Sequence, residues 1–209
     1  MPGFYEAGEY DLAGFAVGVV EKNRVLPGKN IKRGDVLIGV SSTGFHSNGY
    51  SLVRKLFKDW KPTKSLTRQQ LVKELLKPTQ IYTDAVLDLI LKKQIKGLAH
   101  ITGSGFLNVP RMSSSVSYDI VLPPLKERPK AFQWLEALED KSLSFEEKVQ
   151  TFNMGIGLVI ACEPKAVAPV LGHLKNKKFK AWKLGTVIAK EKMCEVKVRS
   201  EYNLATLVY

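Results

Sequence analysis

Two kinds of apolar pattern alternate along this chain. Residues 36–40 and 155–162 are apolar almost without a break, which predicts strands buried on both faces. After the first run, Leu52, Val53, Leu56, Phe57 and Trp60 recur at helical spacing and predict a helix over 48–60. Thr67 is a candidate N-cap for a short helix carrying Leu71, Leu75 and Leu76, stopped before Pro78. Thr79 is a candidate cap for the next, with Tyr82, Ala85, Val86, Leu89 and Ile90 on one face. Strands are predicted over 35–43, 97–102, 118–122, 155–162, 181–189 and 193–199. Helices are predicted over 130–139, 144–151 and 166–175, the last with Pro169 in its first turn. Residues 1–31 read as an extended arm with one strand, ending in a turn at Pro27-Gly28. The order of elements predicts an α+β fold, a mixed β-sheet with packed helices.

Composition adds little to that picture and removes some alternatives. The 209 residues are long enough to bury a core, and the hydrophobic (44%) and charged (25%) fractions are those of a globular protein. No apolar run reaches membrane-spanning length, and no basic-then-apolar leader opens the chain, which predicts no membrane role. Cys162 and Cys194 sit in apolar strand-like segments with no metal-site spacing, so buried reduced thiols are expected. The net charge of +12 is spread over many short lysine groups, without a basic tail or an aromatic–glycine motif. Most of it reads as solvated surface, and a nucleic-acid role is not expected.

Three polar, glycine-containing turns concentrate the candidate chemistry. Residues 41–51 read Ser-Ser-Thr-Gly-Phe-His-Ser-Asn-Gly-Tyr-Ser and join a strand end to a helix start. Backbone N–H groups and the helix dipole converge at such a junction and suit an anion, and His46 adds a group that can carry a proton. The same turn also reads as a plain capped connection with Ser47 or Asn48 as N-cap. The second, at 99–111, contains Thr102-Gly103-Ser104-Gly105, where glycines let a backbone approach a phosphate and hydroxyls donate to it. A tight strand–helix turn is the other reading. In the third, at 151–157, Asn153 precedes Gly155-Ile156-Gly157 and either bonds a substrate or caps the preceding helix. His100 and His173 read as packing or surface residues.

Together with Met1-Pro2-Gly3-Phe4-Tyr5, these strings resemble the aminoimidazole ribonucleotide synthetases, or phosphoribosylformylglycinamidine cyclo-ligases. The stretches Gly34-Asp35-Val36-Leu37-Ile38-Gly39 and His46-Ser47-Asn48-Gly49-Tyr50-Ser51-Leu52-Val53-Arg54 are similar to that family in particular. The resemblance runs from Met1 to about Val198. It implies ATP- and Mg2+-dependent closure of the imidazole ring of formylglycinamidine ribonucleotide in purine biosynthesis, by a cytoplasmic homodimer. It implies His46 and Asn153 as catalytic residues and Ser47, Asn48, Thr102, Gly103, Ser104 and Gly105 as substrate contacts. Asp11 would lie near the nucleotide, and no metal ligand is assigned. Family members are about half as long again, so residues 1–31 are expected to be a remnant of an amino-terminal ATP-binding domain and residues 32–209 the carboxy-terminal domain. The residues 10–20 resemble the last strand of the missing domain, which a separate amino-terminal half would then supply. A non-catalytic half-domain binding a phosphoribosyl ligand or a partner chain is the alternative.

Three positions depart from the family pattern. Ser104 stands where a third glycine is usual. The stretch Phe106-Leu107-Asn108 is one residue short and lacks an expected acid. Gln80 replaces a common arginine after Pro78-Thr79, removing a fixed cation.

Overall fold

A computed structural model describes residues 13–63, 66–138 and 143–209. Its framework is a seven-stranded sheet of order β2-β4-β1-β5-β3-β6-β7. The strands are β1 (Val36–Ser41), β2 (Gly97–His100), β3 (Ser117–Val121), β4 (Ile156–Cys162), β5 (Ala181–Ile188), β6 (Glu195–Arg199) and β7 (Leu204–Val208). All neighbours run antiparallel except β3 and β6, so the sheet is mixed, as expected. The helices are α1 (Tyr50–Asp59), α2 (Arg68–Leu75), α3 (Thr83–Leu91), α4 (Lys130–Glu136), α5 (Phe145–Thr151) and α6 (Val167–Asn176).

The continuous apolar runs become the middle of the sheet because helices cover both its faces. On β1, Leu37 joins the larger core with Phe45, Phe132 and Phe152. Its neighbours Ile38 and Val40 point the other way, toward Ala85 and Leu89 of α3 and Val170 and Leu174 of α6. Phe45 anchors the larger core, its ring 4.7 Å from Phe132 and 4.9 Å from Phe152. Burying one such ring is worth roughly 1.5–3 kcal/mol, so this cluster fixes the path of the chain just after β1.

Local signals set the helix starts. Thr67 with Gln70, and Ser144 with Glu147, form reciprocal capping boxes at α2 and α5. Pro169 lies in the first turn of α6, where its missing N–H costs nothing. Thr79 is not a cap: α3 begins at Thr83, because Gln80 and Thr79 are drawn into contacts with the 42–49 loop. Nor do Ser47 and Asn48 cap α1; Gly49 holds that position in a left-handed conformation, with no side-chain cap.

The strand expected over 10–20 falls partly outside the described residues, and 13–20 form none. Phe15 is 92% exposed and Val19 fully so. A strand is defined by its ladder, and no described segment pairs with this one. Strand β7 and the 3₁₀ turns, the longest over Gly105–Arg111, were not anticipated.

Candidate functional site

Antiparallel pairing decides where the candidate loops meet. Strands β1 and β2 both run against β4, so their carboxyl ends flank its start: Ser41 lies opposite Ile156 and His100 opposite Leu158. Two further bonds prolong the ladder into the loops. Ser42 N donates to Gly155 O (3.0 Å), and Ile101 N donates to Gly157 O (2.8 Å). The loops 42–49 and 101–105 and the turn 152–155 therefore share one end of the sheet.

Asn153 ties two of these segments together. Its side chain is 1% exposed. Its Oδ1 accepts from Ser42 Oγ (3.0 Å) and Gly155 N (2.9 Å), and its Nδ2 donates to Gly44 O (3.0 Å). Three of its four hydrogen-bonding positions are thus committed inside the protein.

His46 is also interior, at 4% exposure, and sits at φ +58°. Its Nε2 accepts from the backbone N–H groups of Thr43 (3.3 Å) and Gln80 (3.4 Å). Those bonds require the neutral tautomer with the proton on Nδ1, and Nδ1 is buried without a partner among the described residues. Burial, and then neighbouring His100, push the His46 imidazole down to about 4. His100 is exposed at the end of β2, its ring 6.1 Å from that of His46, and burial of part of its ring lowers it as well. Tyr82 completes the cluster, its hydroxyl donating to Ser41 O (2.8 Å). Gly157 makes the cluster possible: a Cβ there would stand 2.0 Å from Tyr82 Oη and 2.6 Å from His46 Cε1.

The 102–105 loop is held from below. Asn108 Nδ2 donates to Gly103 O (2.8 Å) and Gly105 O (2.6 Å), and Thr102 Oγ1 donates to Asn108 Oδ1 (3.4 Å). An acid at position 108 could not donate those two bonds. Gly105 is at φ +53°, and a Cβ on it would fall 2.0 Å from Val149 O. Ser104 occupies the left-handed region at φ +71°, where a serine is strained and a glycine is not. Gly103 and Ser104 are exposed at the tip. Asn48 Oδ1 lies 3.7 Å from where a Cβ on Gly103 would be, so the first two loops face each other there. Ser47 is exposed and its hydroxyl shares a 3.1 Å hydrogen bond with that of Thr79.

Every candidate substrate residue is therefore gathered at one rim. The surface available to a ligand is made of Asn48, Gly103 and Ser104, with Ser47 beside it, close to the start of α1. Backbone N–H groups at an uncapped helix start and a glycine loop suit phosphate oxygens. Ser42, Tyr82, Asn108 and Gly157 are the structural partners that sequence reading missed. Asp11 lies outside the described residues. Among the described residues, no group of three His, Cys, Asp or Glu side chains is placed to hold a metal ion. The rim residues Ser47, Asn48, Gly103 and Ser104 include no carboxylate, so these four offer no ligand of the usual kind to the magnesium implied by the resemblance. No described helix is long and apolar enough to cross a membrane.

Residues 32–196 match the family model described as "AIR synthase related protein, C-terminal domain". The chain belongs to the AIR synthase-related family. It is 47% identical over 191 residues to a Clostridium perfringens phosphoribosylformylglycinamidine cyclo-ligase, covering 90% of this chain and 56% of that protein. It is 44% identical over 196 residues to the chloroplastic phosphoribosylformylglycinamidine cyclo-ligase of Arabidopsis thaliana, covering 90% of this chain and 49% of the relative. The chain spans about half the length of these curated relatives. Among solved structures, phosphoribosylformylglycinamidine synthase II of Thermotoga maritima superposes with a TM-score of 0.54 at 13% identity. That match covers 91% of this chain and 28% of the other, and it shows a shared fold.

Proposed function

We propose that this chain is the substrate-phosphate half of an ATP-dependent cyclo-ligase, which closes the imidazole ring of formylglycinamidine ribonucleotide to give aminoimidazole ribonucleotide in purine biosynthesis. The observation that carries the reading is the meeting of Asn48 with Gly103 at one rim, in a chain 47% identical to a cyclo-ligase. Gly103 and Ser104 face the 5′-phosphate, Thr102 and Gly105 shape the loop that presents them, and Ser47 and Asn48 orient the ribosyl side. Gly103, with no side chain and open surroundings, allows the closest backbone approach.

His46 and Asn153 act through the loops they hold. With its ring neutral near pH 7 and Nε2 occupied by two backbone donors, His46 fixes the loop 42–49. Asn153 joins that loop to the start of β4. Nucleotide and magnesium are held mainly by residues beyond those described, in a cytoplasmic homodimer or with a separately encoded amino-terminal half. The test is binding of formylglycinamidine ribonucleotide to this chain by calorimetry. Gly103→Val is expected to weaken it at least about tenfold, as a branched side chain blocks backbone contacts worth about 1.5–3 kcal/mol. Unchanged affinity refutes the assignment of the loop.

A second reading, a half-domain that binds a phosphoribosyl ligand without catalysis, is favoured by the commitment of His46 Nε2 and the Asn153 side chain to bonds inside the protein. Ligand binding without turnover in the presence of an amino-terminal half supports it.

A further inference from the structure

Farther along the same end of the sheet, where β3 and β6 end, lies a pocket of about 820 Å3. Its walls come from the segment 121–128, from Glu136 of α4 and from the hairpin 200–203. Most of the lining is apolar, from Val121, Leu122, Pro123, Pro124 and Leu125. The family match ends at residue 196, so the hairpin wall lies outside it.

One buried cation faces this apolar space. Arg128 is 6% exposed. Its Nε donates to Pro123 O at 2.8 Å, which fixes the plane of the guanidinium. No acceptor among the described residues meets its two terminal nitrogens, and they are not sealed from the pocket that Arg128 lines. No described carboxylate lies within ion-pair distance. The acid that acts on it electrostatically, Glu136, is paired with Lys148 at 2.9 Å. Burial works against the Arg128 charge, and a guanidinium does not shed its proton to escape that cost. A fixed, buried and unpaired guanidinium is therefore short of two planar acceptors.

Size and charge narrow the missing partner. A cavity of this volume is in the range that takes a small molecule. A carboxylate presents two coplanar oxygens that match the guanidinium fork. The other charged groups on the walls, Lys126, Glu136 and Glu201, add no net positive charge to that of Arg128, so one negative charge on a ligand is matched and the second charge of a phosphate ester is not. We propose that this pocket binds a small monocarboxylate with an apolar body, its carboxylate on the terminal nitrogens of Arg128 and its body against Leu122, Pro123 and Leu125. The site is independent of the phosphate-facing loops and of the cyclo-ligase reading.

Calorimetric titration of the full chain with phenylacetate, phenylacetamide and inorganic phosphate tests it. Phenylacetate is expected to bind at least about tenfold more tightly than the neutral amide, the factor expected for a charge-assisted bond of 1.5 kcal/mol or more. Arg128→Gln should abolish that preference. Should that variant fail to fold, Val121→Glu, at a half-exposed position on the wall, places a repelling charge in the pocket and should weaken phenylacetate about fivefold or more. Equal binding of the amide, tighter binding of phosphate, no detectable binding of phenylacetate, or unchanged affinity in either folded variant overturns the proposal.

Discussion

Replacing Asn153 by alanine should destabilise the fold more than any substitution at the exposed part of the site. The side chain makes three hydrogen bonds of 2.9–3.0 Å, to Ser42, Gly44 and Gly155, all buried residues. Each such bond contributes about 1 kcal/mol net, and more when its partner is left buried and unpaired, so the loss should be about 3 kcal/mol. In a chain of this length 1 kcal/mol moves the melting temperature by about 2–4 °C, which predicts a fall of about 6–12 °C. Circular dichroism melts and urea titrations of wild type and Asn153→Ala measure it. Ser47→Ala is the control: its hydroxyl has one partner, at the surface, and the change should stay within about 0.5 kcal/mol. A loss below about 1 kcal/mol for Asn153→Ala would refute the claim that this residue organises the rim, and would free it for direct contact with substrate.

The remaining predictions concern the same loops. His46 has an ordinary value of 6.5 and is held at about 4 in the fold, so the unfolded chain binds the extra proton between those values. Its stabilising contribution should be complete above pH 6.5 and lost as pH falls through 4, by on the order of 3 kcal/mol at most, and His46→Asn should flatten that part of the stability–pH curve. Ser104→Gly should raise stability by about 0.5–1 kcal/mol, because relief of left-handed strain (~1–2 kcal/mol) exceeds the added backbone entropy (~0.5–1 kcal/mol); a thermal melt decides. Gly105→Ala should cost roughly 2 kcal/mol or more in urea unfolding, since its Cβ would fall on the Val149 carbonyl.

How much of this could be read from the chain depended on the range of each interaction. The central strands, the α2 cap, the helix over 144–151 and the place of Pro169 depend on neighbouring residues, and they form where the pattern predicts. Strand β7 was missed because Leu204 and Val208 face outward beside inward Ala205 and Leu207; apolar residues on both faces hide the period of two. Thr79 has the chemistry of a cap, yet its hydroxyl meets Ser47, 32 residues away, and no local rule anticipates that. His46 reads as a turn residue able to carry a proton. Tyr82 and Gln80, from the segment around the start of α3, close over it, so its neutrality is a product of tertiary structure. The clustering of the three turns was implied by the resemblance alone, and the antiparallel pairing of β1 and β2 with β4 is what brings them to one end of the sheet.

The central claim is that this rim serves a cyclo-ligase. Its most direct test is ADP release from magnesium-ATP with formylglycinamidine ribonucleotide, using this chain together with a separately expressed amino-terminal half. Substrate-dependent ADP release that is lost with Gly103→Val is the predicted result. No release above background, from a chain shown to be folded and bound to its amino-terminal half, would contradict the account.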